Sequence, residues 1–211
     1  MAEVTMRERK KEATKSNILK TTIDLINEYG FSGTTMQLIA EKADVALRTL
    51  YNYFPSKESI VAKYMRDVVD QEREENWALL LELDTTYERL ILFCRKTSEW
   101  STVNPILTEI YAADPRNYYY ANRDDVPRSG IDEVVAKIME MGQRMGDVTG
   151  SVPVEVLVRQ FMGVFYLSLL TWLGDPTQDL FDIFKNGIDI LCRGINANIA
   201  EPEAVFLGMF C

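Results

Sequence analysis

Apolar side chains recur at helical spacing along most of this chain. In residues 14–29 the inward positions are Ile18, Thr22, Leu25, Ile26 and Tyr29, the pattern of an amphipathic helix. Similar patterns occupy residues 57–81, 86–100, 105–113, 131–145, 154–173 and 180–195. We find no segment with the alternating pattern of a half-buried strand. The predicted fold class is therefore all-α.

The composition favours a soluble globular protein, because 47% of the 211 residues are hydrophobic and 26% are charged. The longest apolar stretch, FMGVFYLSLLTWL, has 13 residues, too few to span a bilayer as a helix. The opening residues include no apolar core of a signal peptide. Three widely spaced cysteines argue against a disulfide framework. We expect a cytoplasmic protein with no membrane partner.

Charge divides the chain into two unequal parts. Residues 1–64 carry ten Lys and Arg against eight Asp and Glu, a balance of +2. Residues 65–211 carry thirteen basic and twenty-four acidic residues, a balance of −11. The acidic part would repel nucleic acid, so any contact with phosphate is expected in the first 64 residues.

The complete absence of histidine limits the possible chemistry. It removes Ser-His-Asp and Cys-His catalysis and every metal site that contains histidine. No glycine-rich phosphate loop and no CxxC motif is present. The sequence therefore predicts neither an enzyme nor a protein with a metal or cofactor.

Two short helices joined by a tight turn are predicted between residues 35 and 54. Thr35 is a suitable N-cap for the first, MQLIAEKA, and Asp44 tolerates the left-handed backbone of the turn. In the second, VALRTLYNYF, the residues Leu47, Leu50 and Phe54 face inward, and Pro55 ends the helix. This arrangement is that of a helix-turn-helix, whose second helix enters the DNA major groove.

The outward residues of that second helix suit DNA. Arg48 can pair with guanine and Thr49 can contact thymine or phosphate. Tyr51, Tyr53 and Lys57 can donate to phosphate oxygens. Alternatively, the aromatic residues simply fill a core, and the basic segment RERKKEATK is either a solvated end or an arm that binds DNA.

The segments GFSGTTMQLIA and TLYNYFPSKE, in this order and spacing, resemble the N-terminal domain of the tetracycline-repressor (TetR) family. The resemblance covers about the first 65–70 residues. It implies a three-helix DNA-binding domain at 1–64, with a linking helix to about 81, and a larger helical regulatory and dimerisation domain at 65–211.

By this resemblance Thr35 contacts phosphate, with Thr34 and Gln37 near it, and Arg48 and Thr49 lie at the bases. Two residues depart from the family pattern, since Asp44 replaces a usual glycine and Ala46 a usual Ser or Thr. Ala46 deprives the recognition helix of an N-cap worth about 1 kcal/mol.

The apolar helix at 154–173 is either a core helix or half of an interface. The resemblance implies that the last two long helices of each subunit form a four-helix dimer bundle. The expected interface residues are Leu169, Phe184, Ile188 and Leu191. Gly142, Gly146 and Gly187 lie in helical patterns and mark either close packing or helix ends.

Residues 85–173 contain more large apolar side chains than a compact bundle needs, which indicates a ligand pocket. The candidate lining residues are Trp100, Tyr111, Phe161, Phe165 and Trp172, with Asn104 and Glu109 as polar groups. The alternative is that these aromatic residues are ordinary core. The tyrosines at 118–120 are either a ligand cage or partly exposed.

The sequence thus predicts a dimeric transcriptional repressor that a small apolar ligand releases from an inverted-repeat operator. Its expected partners are double-stranded DNA, a small-molecule effector and a second copy of the chain. Two alternatives remain. One is a helix-turn-helix regulator controlled by a protein partner, and the other is an all-α ligand carrier or enzyme.

Overall fold

The computed structural model of the chain describes residues 5–113 and 129–194, and every regular element in them is an α-helix. This confirms the predicted all-α class. The tyrosines at 118–120 and the segment 201–211 lie outside the described residues. The helices are α1 (Met6–Gly33), α2 (Met36–Lys42), α3 (Leu47–Tyr53), α4 (Lys57–Glu82), α5 (Thr86–Val103), α6 (Pro105–Ala113), α7 (Ile131–Met145), α8 (Val154–Gly174) and α9 (Leu180–Gly194).

Helix α1 begins earlier than its apolar pattern predicts. It starts at Met6, where Thr5 and Glu8 form a reciprocal capping box, so the basic segment is helical rather than frayed. At the other end Gly30 has φ 72° and ψ 168°, which interrupts the helix before its last turn. Gly30 therefore marks the predicted end of the regular helix.

The buried side chains form two clusters that meet along α4. The smaller cluster joins α1, α2, α3 and the start of α4 through Ile18, Ile39, Leu50 and Ile60. The larger cluster contains residues of every helix from α4, including Val61, through α9. It also includes Ile23 and Ile26 of α1. Tyr64 packs against both clusters. Helix α4 is thus a structural member of both units.

The three glycines in helical patterns have different roles. A Cβ on Gly142 would lie 2.1 Å from Thr86 Oγ1, and one on Gly187 would lie 2.5 Å from Val164 Cγ1. Both glycines therefore permit close packing between elements. Gly146, with φ 84°, ends α7 in the left-handed conformation.

Helix α8 packs against α6, α7 and α9, and α9 also packs against α5. Among the described helices, α8 alone is long and apolar enough to cross a membrane by length and composition, with 44% of its most apolar window buried. The core helix of a soluble protein meets the same two criteria. The buried face of α8, including Phe161, Phe165 and Leu169, belongs to the larger cluster.

Candidate nucleic-acid interface and ligand cavity

Local hydrogen bonds build the helix-turn-helix. Thr35 Oγ1 accepts from the backbone N–H of Leu38 at 3.1 Å and begins α2, as predicted. Asp44 has φ 53°, the left-handed conformation that lets the chain turn within a few residues. The Asn17 amide of α1 donates to the Ala43 carbonyl at 2.9 Å and holds this turn against the first helix.

Helix α3 is positioned by its inward face. Leu50 and Phe54 are buried in the smaller cluster, and Leu47 packs against it. Ala46 occupies the N-cap with extended backbone and makes no side-chain hydrogen bond, so packing holds the start of this helix without a cap. A helix seated in this way leaves its other faces open to a partner.

Of the eight residues predicted to contact DNA, four are exposed and a fifth is half-buried next to them. Arg48 and Tyr51 are exposed on α3, with Thr49 half-buried beside them. Thr35 and Gln37 are exposed at the start of α2. These side chains include donors suited to phosphate and to base edges. Tyr53 is half-buried and packs against the smaller cluster.

Thr34 is not one of the exposed residues. Its side chain is fully buried, and its hydroxyl donates to the Gly30 carbonyl at 2.9 Å. The Thr34 hydroxyl is therefore not free to bind phosphate in this conformation, and its position near phosphate stays a prediction. The interruption at Gly30 leaves a carbonyl without its helical partner, and the Thr34 hydroxyl satisfies it.

Lys57 also differs from its expected position as an open phosphate contact. Its ammonium donates to the carbonyls of Phe31 and Thr34, the second at 3.1 Å, and lies 4.1 Å from the centre of the Phe31 ring. The contacts join α4 to the last turn of α1 and to Thr34, which follows it. Lys57 thus holds the helix-turn-helix together, since α1 leaves carbonyls at its end that need donors.

A cavity of about 90 Å³ lies in the larger unit, between α4 and the helices that follow it. Seven of its lining residues come from α4, a contribution that the sequence analysis did not identify. The lining residues are Met65, Val68, Val69, Glu72, Arg73, Asn76, Leu80, Leu92, Phe93, Lys96, Thr97, Trp100, Ser101, Thr108, Tyr111, Ile131, Val134, Phe165 and Leu169.

Three of the seven predicted ligand residues line this cavity, namely Trp100, Tyr111 and Phe165. The other four do not. Phe161 and Trp172 are buried in the surrounding core. Asn104 ends α5, where its amide donates to the Trp100 carbonyl at 2.9 Å, and Glu109 is exposed on α6. The sequence indicated an aromatic interior but could not tell which side chains border free space.

Polar groups are placed at two positions around the cavity. At the inner side, the Tyr111 hydroxyl lies 2.7 Å from the Tyr166 hydroxyl and 2.9 Å from that of Ser129. On α4 and α5, Arg73 pairs with Asp70 at 3.0 Å and Lys96 pairs with Glu99 at 3.3 Å. An apolar space with a few polar groups is the usual form of a small-molecule site.

Helix α4 is fastened to the larger unit at two points. Arg66 donates to both carboxylate oxygens of Glu133 on α7, at 2.7 and 2.8 Å. The Glu133 carboxylate raises the pKa of Arg66 above its usual range. Near the end of α4, the buried Arg89 of α5 donates to the carbonyls of Leu80 and Leu83. A displacement of α4 must therefore alter its contacts with α5 and α7.

The predicted interface residues are largely inside the subunit. Leu169, Phe184 and Ile188 are at most 1% exposed, and Leu191 is half-buried. Leu169, Phe184 and Ile188 are inside the subunit and cannot contact a second one. The prediction that these three residues form the dimer interface is therefore wrong. Because α8 is apolar on nearly all sides, its sequence does not distinguish the core face from the outer face.

The outer face of α8 and α9 contains other apolar residues. Leu167 is 65% exposed, Leu170 48% and Ile190 72%. Gly163 is also exposed, one turn before Leu167, and a Cβ built on it meets no atom within 4 Å. An apolar surface around a glycine in mid-helix allows the backbone of another helix to approach closely.

Within residues 5–113 and 129–194 no group of three or more Cys, Asp or Glu side chains could hold a metal ion. The two cysteines of this part, Cys94 and Cys192, are free thiols. Burial raises the pKa of Cys192 to about 11 and that of Cys94 further, so both are protonated at neutral pH.

Comparison with known proteins agrees with this architecture. Residues 18–64 match the family described as bacterial regulatory proteins, tetR family. The chain is 30% identical over 191 residues to the HTH-type transcriptional repressor KstR of Mycolicibacterium smegmatis, covering 90% of each chain.

Two solved structures have a similar fold. Thermus thermophilus FadR in complex with lauroyl-CoA has a TM-score of 0.73 and 24% identity, covering 90% of this chain and 98% of FadR. Bacillus subtilis FadR in complex with stearoyl-CoA has a TM-score of 0.65 and 20% identity, covering 86% of this chain and 99% of that FadR.

The helix-turn-helix with its outward donors, joined by α4 to an all-α unit with a cavity, defines a DNA-binding transcriptional regulator. The 30% identity to the repressor KstR over 90% of each chain identifies the family of this regulator. The chain belongs to the TetR family.

Proposed function

We propose that this regulator is a cytoplasmic homodimeric repressor, released from an inverted-repeat operator by a small molecule in the α4–α8 cavity. The observation that carries the proposal is the position of α4. This helix supplies Ile60 to the core of the DNA-binding unit and seven residues to the cavity wall. A molecule in the cavity therefore contacts the same helix that supports the recognition helix.

In the proposed complex α3 lies in the major groove. Arg48 and Thr49 read bases, while Thr35, Gln37 and Tyr51 bind the phosphate backbone. Their exposure supports these roles. Tyr53 contributes its hydroxyl from a half-buried position, and Thr34 and Lys57 act indirectly by fixing the loop before α2. Phosphate contacts fix the register in which the base contacts can form.

We place the functional division of the chain at 1–64 and 65–211. The two clusters of buried residues support this division. Ile23, Ile26 and Val61 belong to the larger cluster although they precede the boundary, so the two units share packed surface. That shared surface gives a mechanical connection between ligand and DNA.

The second subunit is proposed to pack on the outer face of α8 and α9, giving the four-helix bundle typical of the family. Leu167, Leu170 and Ile190 provide the apolar contacts, and Gly163 admits the partner helix. Burial of such residues contributes about 25 cal/mol per Å² of apolar surface. The two-fold symmetry of this dimer is what requires an inverted repeat.

The effector is proposed to have an apolar body and a polar end. The cavity walls are mainly apolar, with Tyr111 on the inner side and Arg73 and Lys96 on α4 and α5. The space of about 90 Å³ is partly open to solvent, so a larger molecule would extend beyond it. We propose that a longer effector binds best when α4 moves away from α5 and α7, which enlarges the space.

A displacement of α4 on effector binding would explain how the protein is released from DNA. A ligand shifts the equilibrium between two conformations only by its difference in affinity for them. An effector that favours the displaced α4 would move the two recognition helices of the dimer to a spacing that no longer matches successive grooves. The ion pair of Arg66 with Glu133 and the contacts of Arg89 would oppose this movement in the free protein.

The test of DNA recognition is selection of duplexes from a random pool, followed by affinity measurement on the selected sequence. The selected sites should be inverted repeats with half-sites about 34–36 Å apart or at a multiple of that distance. Arg48→Ala should weaken binding by about 1–3 kcal/mol and relax preference at one position in each half-site. Arg144→Ala, which removes an exposed charge at the end of α7, is the matched control. Retained base preference in Arg48→Ala would refute its role.

A further inference from the structure

The first turns of α1 extend beyond the buried core of the DNA-binding unit. The helix begins at Met6, but its first buried residue is Ile18. Every residue from Thr5 to Ala13 is exposed, and this stretch precedes the match to the family, which begins at 18. At 1.5 Å per residue the extension is about 16 Å long from Arg7 to Ile18. The core of the unit does not require these turns.

The extension is an ordered and basic helix. The backbone N–H of Thr5 donates to the Glu8 carboxylate at 2.8 Å, which caps the helix and engages that acid locally. Glu12 pairs with Lys15 at 3.0 Å. Arg7, Lys10 and Lys11 have no hydrogen bond or salt bridge from their side chains to the residues described by the structure. A hydrogen bond from the Thr5 hydroxyl and, to a smaller extent, the Lys11 ammonium lower the pKa of the nearby Glu8. The exposed side chains of Arg7, Lys10 and Lys11 can still reach an external anion.

Helical geometry orients two of these cations. With 3.6 residues per turn, Arg7 and Lys11 lie within about 20° of the direction of Ile18 around the helix axis. Ile18 faces the cluster formed with α2 and α3. Next to it, Asn17 binds the carbonyl of Ala43, in the turn that leads into the recognition helix. Arg7 and Lys11 thus continue the core-facing stripe past this turn.

We propose that the first turns of α1 form a second DNA contact, in which Arg7 and Lys11 bind backbone phosphates beside the bases faced by α3. The inference rests on the DNA-binding function of the chain. The partner is assigned as duplex DNA because Arg7 and Lys11 lie on the side of α1 that faces the helix-turn-helix. The stripe that they form has no exposed apolar residue of the kind that a protein partner would bury. Such contacts add affinity without reading sequence.

Opposite faces of the same helix provide a matched test. The double variant Arg7→Ala and Lys11→Ala removes two charges from the proposed face. Arg9→Ala with Lys20→Ala removes two exposed charges from the opposite side of α1, about 160–180° from Ile18. Binding is measured by fluorescence anisotropy across a salt series, on the selected operator and on an unrelated 30-base-pair duplex.

For each protomer bound, the Arg7 and Lys11 variant should reduce the magnitude of the negative slope of log K against log salt by about 1.8, since each phosphate contact contributes about 0.9. The loss should be similar on both duplexes, and the control should keep the wild-type slope. An unchanged slope in the first variant, or equal losses in both variants, would overturn the proposal. Failure of the wild-type protein to bind either duplex would instead refute DNA binding itself. Circular dichroism verifies that α1 remains helical in both variants.

Discussion

At the scale of single residues, Lys57 shows how a side chain of the DNA-binding motif can have a structural role. Its ammonium donates to the carbonyls of Phe31 and Thr34 and lies over the face of the Phe31 ring. The partners are 26 and 23 residues away in the chain. The contact therefore connects α4 with the end of α1 and stabilises the start of α2 between them.

Replacing Lys57 by Met keeps most of the side-chain length but removes the donors. We expect the free energy of unfolding to fall by about 1.5 kcal/mol, because hydrogen bonds from a charged group are lost at a half-buried site. Urea unfolding followed by circular dichroism measures this change. Lys63→Met is the control, because within the described residues Lys63 pairs with Asp67 alone, on the surface of α4. Equal stability of the Lys57 variant and the wild type would contradict the structural role.

At the scale of elements, α8 has two apolar faces with different roles. The inner face packs against α6, α7 and α9, while Gly163, Leu167 and Leu170 remain on the outer face. Gly187 of α9 lets that helix approach α8 at Val164 within the subunit. The two helices thus form one half of a bundle whose outer side is proposed to meet its symmetry mate.

Leu167→Glu should convert the dimer to a folded monomer, because it introduces a charge at the centre of the proposed interface. Analytical ultracentrifugation measures the mass, and circular dichroism verifies the fold. Val103→Glu changes an equally apolar residue, 79% exposed at the end of α5, and should leave the dimer intact. Phe184→Glu should instead unfold the subunit, since its side chain is 0% exposed. A tight dimer in Leu167→Glu would place the interface elsewhere.

At the scale of the whole molecule, α4 connects the cavity to the DNA-binding unit. It is fastened by Arg66 to Glu133 and by Arg89 to its terminal carbonyls, and its N-terminal turns belong to the core of the helix-turn-helix. A helix in this place can couple the two sites only if it has two positions and the effector prefers one of them.

An effector should therefore stabilise the fold and weaken DNA binding together. Lauroyl-CoA and stearoyl-CoA, the molecules in the two FadR complexes, serve as probes because each has a long apolar chain and a charged end, the form proposed for the effector. At a concentration 100 times Kd the expected gain in stability is about 2.7 kcal/mol. Thermal unfolding and DNA anisotropy measure the two effects on the same sample.

Val69→Trp, which fills the cavity from α4, should abolish both responses and retain DNA binding. Val103→Trp, on a residue outside the cavity lining, should retain both responses. If a probe binds equally well to both variants, its site lies outside the cavity. A probe that raises stability without weakening DNA binding would contradict the coupling through α4.

The sequence by itself determined the features that depend on near neighbours. Thr35 caps α2 three residues ahead, and Asp44 provides the left-handed turn. Ala46 lacks a cap for an equally local reason. Together with helical periodicity, these signals predicted the all-α class, the helix-turn-helix and the outward position of Arg48.

The tertiary structure decided which side of each helix meets which partner. Leu169 faces the cavity rather than a second subunit, Thr34 is buried, and the ammonium of Lys57 is engaged by a distant loop. These outcomes depend on residues far apart in the chain, and a helix that is apolar all round has no sequence signal for its inner face. Free space is likewise a property of several packed helices, so only their assembly determines which aromatic residues border the cavity.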